Sequence, residues 1–293
     1  EGWGQPDSIG GHEYSGQIVA LGSDVTDWNV GEAVVGGPEP GCGACEYCVG
    51  HRPGLCVGQV APGLSEFQGA FAEYKRLDAS EPVRIPEGVG LREASITEPL
   101  AVALHAITLS GIRPGQRAFI AGAGPIGLLT LAALRARGVD DVVVSEPSET
   151  RRDRALEVGA SRVLHPDAVE IPRLPFTLVE AAVDAAFECA GNGLALRAAL
   201  AQLKKAGTLV LVGTGMERPR IDPNRVLLNE LVLTGAYNYD ENGFADALAL
   251  LASGRLPTDR LIEPEDVGLG GLLRAMERLS LGEIGGKVLI APT

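Results

Sequence analysis

Two rhythms of apolar residues divide the chain. Up to about residue 90 the apolar runs are short and broken by Gly, Asp and Asn, and no helical period is sustained. Gln17–Leu21 and Ala33–Val35 read as strands, and Ala70–Leu77 (AFAEYKRL) as another. Near Leu91 the spacing changes. LREASITEPLAVALHAITLSG predicts a helix pair that ends at Gly111, with Pro99 at a helix start.

Beyond Gly111, short apolar strands alternate with helices. The strands are expected at Ala118–Ala121, Asp141–Ser145, Ala185–Glu188, Thr208–Val212 and Leu231–Thr234. The helices are expected at Ile126–Arg137, Arg151–Val158 and Leu194–Lys205, the first two stopped by Gly138 and Gly159. A helix over Gly243–Ser253 and a last strand over Lys287–Ile290 complete the pattern. Strands alternating with helices imply an α/β fold with a doubly wound, mostly parallel sheet.

The chain has 293 residues, of which 45% are hydrophobic, so it can bury a substantial core. The 39 glycines and 4% aromatics suit an α/β protein rich in tight turns. A net charge of −13 repels phosphate backbones and anionic lipid, so no nucleic acid and no membrane surface is expected as partner. No apolar run approaches the ~20 residues of a membrane span. Four of the five cysteines lie within fifteen positions, which favours a metal over disulfides, and a cytoplasmic location is expected.

Gly122-Ala123-Gly124-Pro125-Ile126-Gly127 follows an apolar strand and opens a helix. Gly122 permits the tight turn, Gly124 lets the backbone approach a pyrophosphate, and Gly127 lets helix and strand pack closely. The amides of the helix N-terminus, with Pro125 and Ile126 in its first turn, then face the phosphates. Glu146 stands 19 residues beyond Gly127, at the end of the next strand. Its carboxylate can accept both hydroxyls of an adenosine ribose and would repel a 2′-phosphate, which favours NAD over NADP. Arg151 and Arg152 are the competing signal. An ordinary strand–helix turn without a ligand is the alternative.

Cys42, Cys45, Cys48 and Cys56 form a C-x2-C-x2-C-x7-C loop. Four thiolates can surround one Zn2+ tetrahedrally and leave no position for water, so the site should be structural. Two disulfides or free thiols are the alternative. Cys189, in the strand-like AAFECAG, reads as a small buried apolar residue. Gly11-His12-Glu13 precedes the first strand and Glu98 opens a helix. These three residues are suitable donors for a catalytic zinc, but spacing alone does not bring them together. Taken alone, His12 is better explained as a surface or core histidine than as a ligand. His105 has that same reading, and His51 and His165 carry no signal.

GHEYSGQIVALGSDVTDWNVGEAVV, the four-cysteine loop, EPLAVALHA and AGAGPIGLLTLAALRARG occur here in the order found in zinc-containing medium-chain dehydrogenases. The resemblance runs from about Ile9 to the C-terminus, including GKVLI. EPLAVALHA and SEPSETRR are most similar to the polyol, butanediol and threonine dehydrogenase branch. The resemblance implies a GroES-like β-rich catalytic domain over 1–97, a Rossmann domain over 98–239, and a return of 240–293 to the first domain. It implies that His12 holds a catalytic zinc, with Glu13 as a direct or alternating ligand and Glu98 as a ligand or holder of zinc-bound water. Val212, Thr214 and the Ala236–Asn238 loop would contact the nicotinamide half.

One departure stands out. The family has a further ligand cysteine upstream of the GHE histidine, followed by Ser or Thr. Only eleven residues precede His12 and none is cysteine, so an N-terminal part is expected to be missing. The function implied is reversible oxidation of a secondary alcohol or polyol with NAD, in a homo-dimer or tetramer. The alternatives are a zinc-independent quinone or enoyl reductase, and a non-catalytic NAD-binding homologue.

Overall fold

The computed structural model describes residues 8–37, 41–59 and 69–292. The β-rich part contains β1 (Tyr14–Gln17), β2 (Ala33–Gly36), a short helix α1 (Glu46–Val49) in the cysteine loop, and β3 (Val83–Arg84). The three strands form an antiparallel sheet in the order β1-β2-β3. Tyr14 pairs with Gly36 and Gln17 with Ala33.

The strand expected at Gln17–Leu21 therefore lies three residues earlier. Ile18 still exchanges backbone hydrogen bonds with Glu32 and Gly31, but the chain then leaves the ladder and Val19 is exposed. The strand expected at Ala70–Leu77 is absent. Ala70 and Phe71 donate to the carbonyls of Gly11 and Gly10, and the segment then bends away. Alternation without a partner ladder does not hold a strand.

From residue 91 the elements follow the alternating pattern. They are α2 (Leu91–Ala94), α3 (Thr97–Ser110), β4 (Arg117–Ala121), α4 (Pro125–Ala136), β5 (Asp141–Ser145) and α5 (Glu149–Val158). β6 (Arg162–Leu164), β7 (Val183–Glu188), α6 (Gly193–Gln202), β8 (Leu203–Leu211), α7 (Pro223–Leu228) and β9 (Val232–Gly235) follow. The expected helix through Lys205 ends at Gln202, because Leu203 turns to extended backbone and pairs with Val183 of β7.

The six strands form one parallel sheet in the order β6-β5-β4-β7-β8-β9. That order reverses direction beside β4, the switch point at which doubly wound sheets bind ligands. Both faces are covered, which is why the strands read as unbroken apolar runs. Along β4, Ala118 and Ile120 enter the core beneath α3 and α4, while Phe119 and Ala121 enter the core beneath α6.

The chain continues through α8 (Gly243–Ala252), α9 (Thr258–Leu261), β10 (Val267–Gly268), α10 (Leu272–Ser280) and β11 (Ile290–Ala291). Ala247, Leu248, Leu250 and Leu251 of α8 share the core of α3. β11 pairs with β10, and Lys287 makes a single bridge with Ile262 instead of opening the expected strand. No helix among the described residues is long and apolar enough to cross a membrane.

Candidate metal and cofactor sites

The glycine loop joins β4 to α4, and each glycine is needed for a different reason. Gly122 has φ +104, and a Cβ there would stand 3.0 Å from Ala190 Cβ. Gly191, in the loop after β7, leaves no room for a Cβ because Thr214 O would be 2.2 Å away. At Gly124 a Cβ would meet only Arg151 Nη1, at 3.9 Å. The space over Gly124, at the N-cap of α4, is thus open and matches the approach of a pyrophosphate. Pro125 and Ile126 form the first turn of that helix.

Glu146 is buried at the end of β5. One of its oxygens accepts from the Ala123 amide at 2.7 Å and the other from the Ser148 amide at 2.9 Å. The acid is thereby locked beneath the glycine loop. Arg151 donates to the carbonyls of Ile284 (3.0 Å) and Leu279 (2.5 Å), so it staples α5 to the C-terminal segment. Arg152 donates to the carbonyls of Glu146 and Pro147. On the other side of the switch point, Val212 and Gly213 both donate to the Glu188 carbonyl. The Glu188 carboxylate accepts from the Ala190 and Gly191 amides. Burial raises its pKa. Cys189 is packed against the core and has its thiol pushed up to about 12 by burial, as a structural cysteine should.

Cys42, Cys45, Cys48 and Cys56 bring their sulfurs within 4.8 Å of one another. No disulfide joins them; Cys45 Sγ and Cys48 Sγ are 3.5 Å apart. Amide N–H groups point at the sulfurs: Cys42 and Gly58 onto Cys56, and Cys45 onto Cys42. Backbone N–H groups favour thiolates and lower the pKa of Cys45 and Cys56, while burial and the neighbouring sulfurs push Cys48 up to about 12. Gly41 allows the loop to close, since a Cβ there would stand 2.6 Å from Cys48 Sγ. Four clustered sulfurs, those of Cys42 and Cys56 receiving backbone amides, fit a closed structural zinc site.

His12, Glu13 and Glu98 also come together, with their ligand atoms within 4.8 Å of one another. His12 and Glu13 arrive from the turn before β1. Glu98 arrives from the first turn of α3, where the Thr97 hydroxyl donates to the Ala94 carbonyl. Burial lowers the pKa of His12, which favours the neutral imidazole that ligates metals. Burial and the nearby Glu13 carboxylate push Glu98 up to about 8. Two acids and a neutral imidazole in a buried corner fit a divalent cation. His12, Glu13, Lys287 and Pro125 of the glycine loop line a common cleft of 1610 Å3.

Three nearby residues escaped the sequence reading. The Lys287 ammonium contacts the Glu13 carboxylate. Tyr14 and Tyr239 are mostly buried, and burial raises the pKa of both hydroxyls. For Lys287 a signal existed, a lone cation inside the apolar GKVLI; for the tyrosines there was none beyond their neighbours in sequence.

Residues 2–87 match the family described as the alcohol dehydrogenase GroES-like domain, and residues 125–253 the family described as zinc-binding dehydrogenase. Sorbitol dehydrogenase of Bacillus subtilis is 32% identical over 272 residues, covering 92% of this chain and 76% of its own. (R,R)-Butanediol dehydrogenase of the same species is 29% identical over 291 residues, covering 96% and 80%. Among solved structures, a zinc-binding dehydrogenase of Sinorhizobium meliloti bound to NADP superposes with a TM-score of 0.84. It has 33% identity, over 98% of this chain and 84% of that one. Fold, paired family matches and relatives agree: the chain belongs to the zinc-dependent medium-chain dehydrogenases, oxidoreductases of alcohols and polyols.

Proposed function

We propose that the chain interconverts a secondary alcohol of a polyol or vicinal diol with the corresponding ketone, using NAD. The observation that carries this reading is the meeting of His12, Glu13 and Glu98, the first two of which line the cleft that also reaches Pro125 of the glycine loop. Relatives named sorbitol dehydrogenase, D-xylulose reductase and butanediol dehydrogenase support the substrate class.

His12, Glu13 and Glu98 would hold the catalytic zinc, and Cys42, Cys45, Cys48 and Cys56 the structural one. Bound zinc supplies a Lewis acid that polarises an alcohol oxygen and lowers its pKa. The buried corner around Glu98 excludes water and strengthens that field. Gly122, Gly124, Pro125, Ile126 and Gly127 would seat the pyrophosphate. Val212 and Thr214 would border the nicotinamide half, which would supply the hydride acceptor for the alcohol carbon. Glu146 would receive the adenosine ribose. Arg151 and Arg152 are engaged by main-chain carbonyls, so neither stands free to receive a 2′-phosphate. That supports NAD, although the similar Sinorhizobium protein carries NADP.

We assign 1–97 and 240–293 to the catalytic domain and 98–239 to the dinucleotide domain, with α8 serving both through its contact with α3. A cytoplasmic location suits four unbridged thiols. A homo-dimer or tetramer is assigned, using the outer edge of β9. Polyol-dependent NADH formation with added zinc tests the reading. It requires that His12→Ala abolish turnover, and full activity in that variant overturns it. A non-catalytic homologue would give no turnover in either protein.

A further inference from the structure

The cysteine lobe does not end at its own sulfurs. It leans on the segment that follows β9, residues 238–241. Gly54 of the lobe lies so close that a Cβ there would stand 2.7 Å from Tyr239 O and 3.1 Å from Asn238 Cβ. Asn238 has φ +51, a left-handed conformation that Asn tolerates better than most residues. Three side-chain contacts hold the segment in place. His51 Nδ1 and Glu241 Oε2 are 2.5 Å apart, Asn238 Nδ2 and Gln59 Oε1 are 3.5 Å apart, and Arg52 Nε lies 3.7 Å from Asp240 Oδ1. The second oxygen of Asp240 reaches His105 Nδ1 of α3 at 3.4 Å.

The same segment presents Tyr239 to the acidic corner. A Cβ at Gly37 would stand 2.5 Å from Tyr239 Oη, 3.0 Å from Phe244 Cζ and 3.2 Å from Glu98 Cγ. All three groups therefore converge on Gly37. Phe244 holds the tyrosine ring edge-on, with centroids 5.1 Å apart and planes at 62°. Tyr239 thus has its backbone under the cysteine lobe and its hydroxyl beside Glu98.

We infer that Asp240 is a positioning residue: by bridging Arg52 of the cysteine lobe to His105 of α3, it fixes Tyr239 as a wall of the substrate space beside Glu98. The lobe then does more than hold its own fold; it sets the position of an aromatic wall in the reaction site. Asp240 touches neither Glu98 nor the glycine loop in any hydrogen bond or ion pair among the described residues. Its effect passes through the backbone of residues 238–241. This inference rests on the placement of the substrate beside Glu98 under the proposed function, but its first readout does not.

The test compares the chain with Asp240→Asn, Asp240→Glu and Arg52→Ala. Asp240 and Arg52 are each half exposed, so the pair acts weakly and local opening should change by about two- to fivefold. Amide exchange of residues 238–243 should quicken by that factor in Asp240→Asn and Arg52→Ala, with zinc content and exchange of β4 and β5 unchanged. The double variant should be no faster than Asp240→Asn alone, and Asp240→Glu should recover part of the protection. KM for the alcohol should rise about as much, with KM for NAD unmoved. Unchanged exchange in Asp240→Asn overturns the latch. Faster exchange with an unchanged alcohol KM overturns the role of Tyr239. Loss of the proposed activity would appear separately, as a wild-type chain with slow exchange and no turnover.

Discussion

A side chain on Gly127 would place its Cβ 1.9 Å from the carbonyl oxygen of Gly122. The two ends of the loop therefore touch backbone to backbone, and α4 can follow β4 only because position 127 is bare. Gly127→Ala should cost about 1–3 kcal/mol of stability, the range for forcing a methyl into a packed site. Gly124→Ala is the contrast. Its methyl would enter open space, so the melting temperature should stay close to wild type while NAD binds about tenfold more weakly. Thermal melts and NAD titrations of both variants check this; equal effects on stability would contradict it.

Glu146 ties the Ala123 and Ser148 amides together and keeps a carboxylate under the adenosine end of the loop. Glu146→Ala removes a charged acceptor, a loss of about 1.5–3 kcal/mol where such bonds are made. NAD affinity should fall about tenfold or more and NADP affinity much less. An unchanged ratio of the two dissociation constants would contradict the NAD assignment.

The two candidate zinc sites should be separable. Cys48→Ser removes a sulfur from the closed set, and structural zinc contributes about 10–16 kcal/mol where it orders a small lobe. Zinc content should drop from two to one per chain, and residues 41–59 should become open to protease. His12→Ala should lose the other ion and leave the lobe protected. Metal analysis beside limited proteolysis distinguishes these outcomes, and a single lost ion common to both variants would refute two independent sites.

What the sequence disclosed was mostly local. The glycine loop and the four cysteines are contiguous patterns whose spacing carries their chemistry, and β5 appears over the residues expected, Asp141–Ser145. The meeting of His12 and Glu13 with Glu98 was legible only through family resemblance, because tertiary packing of α2, which leads into α3, against β1 and β2 brings them together. Lys287 is a similar case: its bridge to Ile262 and contact with Glu13 depend on the returning C-terminal segment. Ala70–Leu77 misled because its residues suit a strand while no ladder pairs beyond Phe71 among the described residues.

The outer edge of the six-stranded sheet bears on assembly. β9 pairs only with β8 among the described residues, so its other side carries unpaired backbone groups. Around it Leu227, Leu228, Val232 and Tyr237 are at least half exposed. An uncovered edge with apolar neighbours invites pairing with a second copy across a two-fold axis, joining two sheets into one. In the proposed homo-dimer Val232→Asp would place two carboxylates near that axis and should weaken dimerisation by about tenfold or more, since like charges across an interface cost several kcal/mol. Sedimentation velocity over a concentration series measures the shift. A wild-type chain that sediments as a monomer at every concentration would rule out this edge as the assembly surface.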